Sequence, residues 1–592
     1  MERWVQIAKR ADFKQIAQQY NITPVLARLM VNRGVNEPEQ IKRYLYGTPT
    51  DLYDPHQMKD IDKAARMIEV EIKAGGKIAI ASDFDVDGIF SSYILYLGFT
   101  KIGGQAKIYT PNRVTEGYGL NERIVREAYA DGARMIVTCD NGIAAFEAIT
   151  LAKSMGMKVI VTDHHDIPYE EAKDGTRTIL VSEADAIVNP KQQECLYPFK
   201  KLCGAGVAYK LIQVVYEYQH IDEADLLNLI QYVAVATVAD VMDLEDENRI
   251  FVKYGLKQLT HTDNLGLQAI IEATGLDASK IQAYHIGFVI GPCFNAAGRL
   301  DTVKIALDLL MSRQKMRADA LAAELKAMNE SRKEMTQNGV EQAIELIEST
   351  ELKNDKILLI LLQNCHESLA GIIAGRIKEK YHKPTIVFTE VEDAMIKGSA
   401  RSIEAYNIFE GLMQGRHLMT RFGGHPMAAG MTLPKANLEK LRRLLNEHTT
   451  LTEDDFIPVV RIDVPMPIGY ITEHFIDELE LLEPFGKGNT KPVFAERFFK
   501  IMWAQVLGKN HNVLKMTVCD DNHTIMEAMY FGDIEDFDNY VIGIYGEAKL
   551  AKMYDGYGGD VELAMTYYPS INEFRGQKKI QIVVTGYCKI AR

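Results

Sequence analysis

Cysteine and tryptophan are scarce: 7 and 2 in 592 residues. The cysteines (139, 195, 203, 293, 365, 519 and 588) are scattered, odd in number and without a CxxC pair. That pattern excludes a disulfide-stapled framework, argues against a structural zinc site, and predicts reduced thiols and a cytoplasmic address. Long apolar runs are missing as well. Stretches such as Gly88–Thr100 and Ile281–Gly298 are too short to span a bilayer or are broken by Gln282, His285, Pro292 and Asn295. The opening MERWVQIAKRADFKQ is too charged for a signal peptide. A positive surplus is absent too: 67 Lys and Arg face 81 Asp and Glu, a formal charge of −14. Bulk charge will not draw such a chain to nucleic acid, so any such partner must be held by local basic patches.

What is present is ordinary globular material, 47% apolar and 25% charged, long enough for three or four domains. Residues 1–60 read as a helical leader, with one helix closed by Gly34 and another over EPEQIKRYLYG. From 61 to 302 short apolar runs (KIAIA, ARMIVT, MKVIVT) alternate with helical patterns, the mark of a parallel sheet in an α/β layer. Residues 303–350 carry dense Ala, Leu, Glu and Lys, no Pro and one Gly. They predict one or two long helices, up to ~65–70 Å if unbroken, joining two lobes. A smaller α/β lobe follows over 351–452. Many short strands over 453–592 predict a small β-barrel.

The chemistry concentrates at strand ends. Ser82-Asp83-Phe84-Asp85-Val86-Asp87-Gly88 sets three carboxylates at alternate positions directly after a strand. Unpaired, they repel and raise one another's pKa, and a cation is the natural resolution. An EF-hand opens the same way but needs a bidentate Glu at its twelfth position, which here is Ile94. Asp140 follows the next run, and Asp163-His164-His165 the one after. In an open parallel sheet, sites lie beyond the carboxyl ends of the strands. One crevice therefore receives Asp85, Asp87, Asp140, Asp163, His164 and His165, and the apolar helix YVAVATVADVM adds Asp240 as a buried carboxylate. Mixed carboxylate and imidazole ligands favour Mn²⁺, with Mg²⁺ or Fe²⁺ as alternatives. Enough carboxylates are present for two ions, which ~3.5–4 Å apart would clamp the attacking and leaving oxygens of a phosphoryl displacement. The residues alone predict a two-metal phosphoesterase without naming its substrate.

Asp83–Gly88, Asp163–His165 and the distant Phe422-Gly423-Gly424-His425 together resemble the DHH phosphoesterase superfamily, and within it the RecJ-type single-strand-specific DNA exonucleases. AIVNPK (186–191), LCGAGVAYKL (202–211), VATVAD (235–240), NAAGR (295–299) and Ser399–Ser402 follow in the family's order, so the resemblance covers nearly the whole chain. It implies a DHH lobe and a smaller DHHA1 lobe joined by a long helix, with a C-terminal OB-fold. It also implies roles. Asp85, Asp87, Asp140, His164 and Asp240 would hold two ions. Asp83 would be a nearby carboxylate, Asp163 would orient the histidines, and His165 would face the scissile phosphate. Asn295, Arg299, Arg401, Gly423, Gly424 and His425 would border or hold DNA. The activity implied is 5′-to-3′ hydrolysis of single-stranded DNA to 5′-mononucleotides in recombination and repair, with single-strand-binding protein and a RecQ-type helicase as partners.

Two departures stand out. Ser82 replaces a common Gly, and Cys293 stands where many relatives carry Arg, so one phosphate contact is missing or supplied elsewhere. In the C-terminal segment Phe498, Phe499, Trp503 and Phe574 interleave with Lys500, Lys509, Lys515, Arg575, Lys578 and Lys579, which suits stacking on single-strand bases. Aromatics in strands are more often core, so the cations Arg575, Lys578 and Lys579 are the stronger candidates. Two other readings stay open: a DHH enzyme for small substrates such as oligoribonucleotides or cyclic dinucleotides, and a degenerate, non-catalytic repair scaffold. The barrel argues against the first and the complete ligand set against the second.

Overall fold

A computed structural model describes residues 2–112, 116–171, 176–300, 303–508, 511–574 and 576–589. The chain divides into two compact units, residues 53–241 with 254–458, and residues 1–52 with 242–253 and 459–592.

The larger unit is built on a five-stranded parallel sheet in the order Gln105–Tyr109, Lys77–Ser82, Ala133–Cys139, Lys158–Thr162, Ala186–Val188. Its three central strands are buried on both faces, as helix-covered parallel sheets are, which is why they read as runs of Ile, Val and Ala; the edge strand Gln105–Tyr109 alternates instead. Register positions the chemistry: Ser82 pairs with Cys139, Cys139 with Thr162, and Thr162 with Val188. The loops after these strands therefore start at one level. The second sheet of this unit is mixed, in the order Arg421–His425, Ala428–Pro434, Met395–Arg401, Thr385–Glu390, Leu358–Leu362.

Between the sheets run helix Lys304–Met311 and the 35-residue helix Lys315–Ser349, ~52 Å long. The expected long connector is thus broken once, at 312–314. The long helix is packed, not free-standing: Ala318, Ala322, Leu325, Val340, Ala343 and Ile347 are buried. Gly339 meets Ile373, where a Cβ would fall 2.5 Å from that side chain.

In the smaller unit, strands Val464–Pro465, Phe494–Leu507, Val513–Asp520, Ile525–Tyr530, Gln577–Lys589 and Val561–Phe574 form one sheet, and Phe494–Leu507 also pairs with Val561–Phe574, closing a barrel. Helices Pro24–Asn32 and Pro38–Tyr46 of the leader share the barrel's apolar core through Leu26, Leu29, Met30, Ile41 and Leu45. Arg249 is 2% exposed in this unit. Its guanidinium donates to the carbonyls of Tyr44, Leu482 and Leu481 at 3.0, 2.8 and 2.7 Å and stacks 3.9 Å over the Tyr44 ring. Among the described residues no helix is long and apolar enough to cross a membrane.

Arg249→Leu removes the guanidinium from the Tyr44 and Leu481 carbonyls, while the Leu482 carbonyl keeps Asn489 Nδ2–H at 2.7 Å. At ~1–3 kcal/mol for each unsatisfied group, a loss of roughly 2 kcal/mol or more is expected for this unit in urea unfolding. A loss below ~1 kcal/mol would show that the carbonyls find other donors.

Candidate metal centre and anion pocket

Each sheet-end loop brings its acid in by a local device. Asp85 caps helix Val86–Lys101, its Oδ1 accepting the Gly88 N–H at 3.0 Å. Asp87, in the first turn of that helix, is 1% exposed and accepts N–H bonds from Gly204 (2.6 Å) and Ala205 (2.7 Å) at the start of helix Gly204–Tyr218, a helix N-terminus that suits a buried anion. Gly204 must be glycine, because a Cβ would sit 2.6 Å from the Asp140 Cβ. Asp140 is buried with a left-handed backbone (φ 61°), a conformation Asp tolerates better than most residues. Asp163 accepts four N–H groups: the backbones of His164 (2.7 Å), His165 (3.1 Å) and Ile143 (2.9 Å), and His165 Nδ1 (2.7 Å). Asp83 Oδ1 accepts the Phe84 N–H at 2.7 Å.

His164 is the hub. Its Nε2 lies 3.0 Å from Asp140 Oδ1, 3.6 Å from Asp87 Oδ2 and 3.8 Å from Asp240 Oδ2. Asp87, His164 and Asp240 offer ligand atoms within 4.8 Å of one another, and so do Asp140, His164 and His165. Asp240 corrects one expectation. It is not buried within its helix but follows the last turn of Ile230–Ala239 with a side chain 28% exposed, opening the centre to solvent. Val241 next to it is held at φ 55°, strained for a β-branched residue, so the chain turns out of the helix sharply at the ligand.

The electrostatics are those of a cation site. Burial, then the charges of Asp87, Asp85, Asp240 and Asp83, push the Asp140 carboxyl far above the ordinary range. Burial raises Asp87 too, partly offset by His164. Burial lowers His164, which favours the neutral imidazole that a metal ligand requires. His165 behaves oppositely: burial draws it down, but the hydrogen bond and charge of Asp163 outweigh this and push it up to about 9. Asp140 Oδ1 and His164 Nδ1 are buried without a hydrogen-bond partner among the described residues. An orphaned carboxylate oxygen among repelling acids around a neutral imidazole fits divalent cations.

Beside this centre lies a cavity of about 290 Å³ lined by Arg299, Arg401, Ser368, Ser399, Gly371, Gly424, Tyr118 and Glu367. It abuts the metal loop: the Tyr118 ring lies 5.0 Å from Phe84, and a Cβ on Gly298 would fall 2.4 Å from the Phe84 carbonyl. Arg401 ends strand Met395–Arg401, its Nη1 donating to the Ala400 carbonyl at 2.8 Å, and Arg299 Nη1 donates to the Ser368 carbonyl at 2.6 Å. Gly371 makes room for the Arg401 guanidinium, since a Cβ there would lie 2.9 Å from Nη2. Two guanidinium groups flanked by two serines form an anion pocket.

Of the expected DNA contacts, Arg299, Arg401 and Gly424 meet in this cavity, while Asn295, Gly423 and His425 do not line it. Asn295 faces partly outward one helical turn before Arg299, and Gly423 and His425 are exposed on the edge strand Arg421–His425. In the barrel, Phe499 is core, Lys578 is exposed, Lys579 is ion-paired to Glu527, and Arg575 lies outside the described residues. Tyr118, Ser368 and Ser399 were missed as cavity residues. No spacing announces them, because three separate elements bring them together.

The fold and the centre define a DHH-type phosphoesterase. Family profiles described as "DHH family, N-terminal domain", "DHHA1 domain" and "RecJ OB domain" match residues 77–237, 354–450 and 462–586. The single-stranded-DNA-specific exonuclease RecJ of Bacillus subtilis (strain 168) is 35% identical over 98% of this chain and 70% of its own. A crystal structure of RecJ with Mn²⁺ from Thermus thermophilus superposes with a TM-score of 0.79 at 24% identity, covering 100% of this chain and 80% of that one. A crystal structure of exonuclease RecJ bound to manganese gives 0.56 at 28%, covering 67% and 96%. The chain belongs to the RecJ family.

Gly204→Ala forces the start of its helix away from Asp140. Because displacements near 1 Å cost on the order of 100-fold in rate, kcat is expected to fall on that order with the far-UV spectrum unchanged. Full activity would show that the Asp140 approach is dispensable.

Proposed function

We propose that the chain is a single-stranded-DNA-specific exonuclease that degrades from the 5′ end and releases 5′-mononucleotides. The observation that carries the reading is the juxtaposition of an acid-and-histidine centre with an arginine-lined pocket roomy enough for a phosphate. A strand whose terminal 5′-phosphate rests on Arg299 and Arg401 would present its next phosphodiester to the centre, and 5′-to-3′ polarity follows from that order. The names of its relatives support DNA as the substrate.

Asp85, Asp87, Asp140, His164 and Asp240 would hold two divalent ions, Mn²⁺ or Mg²⁺. Mn²⁺ in a RecJ structure 28% identical to this chain and the orphaned oxygen of Asp140 support metal binding. When bound, such ions supply Lewis acidity and a water of lowered pKa. The residues of the chain do the rest. Asp163 holds His165 by its Nδ1 and keeps it protonated at neutral pH, so Nε2–H can donate to the phosphate as charge develops. Asp83 fixes the first loop through the Phe84 N–H. The arginine pocket fixes the end of the strand, which sets the step at one nucleotide. Lys578 and Arg575 of the barrel would bind single-stranded DNA. In the cell the enzyme would be cytoplasmic and serve recombination and repair, taking strands from single-strand-binding protein and a RecQ-type helicase.

Purified protein with Mn²⁺ is expected to release labelled mononucleotide at once from a 5′-labelled single strand, late from the 3′-labelled strand, and not from a blunt duplex. Asp87→Ala is expected to abolish release while sparing strand binding. Preference for a diribonucleotide would move the protein to the small-substrate branch, and full activity of Asp87→Ala would remove it from the centre.

A further inference from the structure

Outside the centre and the anion pocket, two neighbouring arginines lack a counter-ion among the described residues. Arg332 is on the long helix Lys315–Ser349 and Arg376 on helix Ala370–Tyr381. Arg332 is half-buried, and its Nε and Nη2 both donate to Asn329 Oδ1, at 3.1 and 2.9 Å. Asn329 is 3% exposed, and its own Nδ2 donates to Cys293 Sγ at 3.5 Å on the helix that carries Arg299. The amide thus orients the guanidinium, and its other N–H groups meet no acceptor among the described residues. Arg376 is exposed, its Nη1 donating to Gln337 Oε1 at 3.2 Å. Both partners are neutral amides. The nearby Glu330 and Glu341 are engaged by Lys326 and Gln337.

Burial, and then the charge of Arg376, hold the Arg332 guanidinium below its ordinary range. An oriented, partly desolvated cation beside a like charge is unfavourable by itself and becomes favourable when an anion bridges the pair. A planar fork with a second cation beside it suits a phosphodiester. Two helices give its place independently. Cys293 precedes Arg299 by six residues, ~9 Å along one helix, and Arg376 follows Gly371 by five, ~7.5 Å along the other; Arg299 and Gly371 both line the anion pocket.

We propose that Arg332 and Arg376 form a second phosphate clamp that grips the single strand two or three phosphates inboard of its terminal phosphate, at ~3.4 Å per stacked nucleotide. The clamp rests on the exonuclease reading and adds a length-dependent grip to it. Asn329 is its positioning residue.

The test is binding of a 5′-phosphorylated dodecamer in metal-free buffer, with affinity followed against salt. Each lost phosphate contact lowers the slope of log K on log salt by ~0.7 for single strands, so R332Q/R376Q, which gives up the one phosphate the pair bridges, is expected to lose about 0.7 and R376Q alone a part of that. R332K is expected to keep the slope while losing affinity, because the charge stays and the fork goes. The affinity gained on lengthening a strand from two to twelve nucleotides is expected to shrink in the double variant. A wild-type slope in the double variant, or a loss as large on the dinucleotide as on the dodecamer, would overturn the clamp. Should R332Q fail to fold, the exposed R376Q decides by its own slope. A wild-type protein that binds the dodecamer but never degrades it would count against the exonuclease reading, not against the clamp.

Discussion

Five carboxylates brought to one end of a parallel sheet repel each other, and that repulsion is the constraint around which the larger unit is organised. Asp83, Asp85, Asp87, Asp140 and Asp240 could not be gathered beside one imidazole in a largely dry crevice without compensation. The fold supplies part of it: a helix N-terminus on Asp87, a cap geometry for Asp85, and a backbone N–H for Asp83. Among the described residues nothing of this kind reaches Asp140 Oδ1. The remainder falls to the ions the centre would bind, which ties the chemistry of the site to the architecture that assembles it.

That coupling explains why Asp163 stands apart. It is as buried as its neighbours, yet burial is outweighed by His165 and the backbone N–H groups, which hold its carboxyl below the ordinary range. Three of its hydrogen bonds fall on Oδ1 and one on Oδ2, so its charge is already balanced by N–H donors. It orients His165 through Nδ1, which is held protonated, while burial favours the neutral form of His164. Two adjacent residues of one type thus have opposite electrostatic character because of where each side chain points.

Much of this was legible in the sequence, and for physical reasons. Parallel strands buried on both faces read as apolar runs, and the residue after each run is the residue at the mouth of the crevice, so Asp83, Asp140 and Asp163 announce themselves. Less legible was whatever depends on how separate elements meet. The apolar text before Asp240 suggested burial, but the helix ends one residue earlier and leaves the carboxylate partly in solvent. The leader helices gave no sign that they share the barrel's core. Tyr118, Ser368 and Ser399 are ordinary residues in their own segments and become a pocket only when two sheets face each other. Arg332 is one of several cations on a long polar helix, and what distinguishes it is its bonding to the neutral amide of Asn329.

The account rests on the centre binding metal in a definite number. Calorimetric titration of the full chain with Mn²⁺, followed by the same titration of Asp140→Asn, measures this directly. The account predicts two ions for the native chain and loss of at least one in the variant, because the substitution removes the charge of Asp140, whose Oδ1 has no hydrogen-bond partner among the described residues. A single ion, or an unchanged stoichiometry in Asp140→Asn, would contradict it.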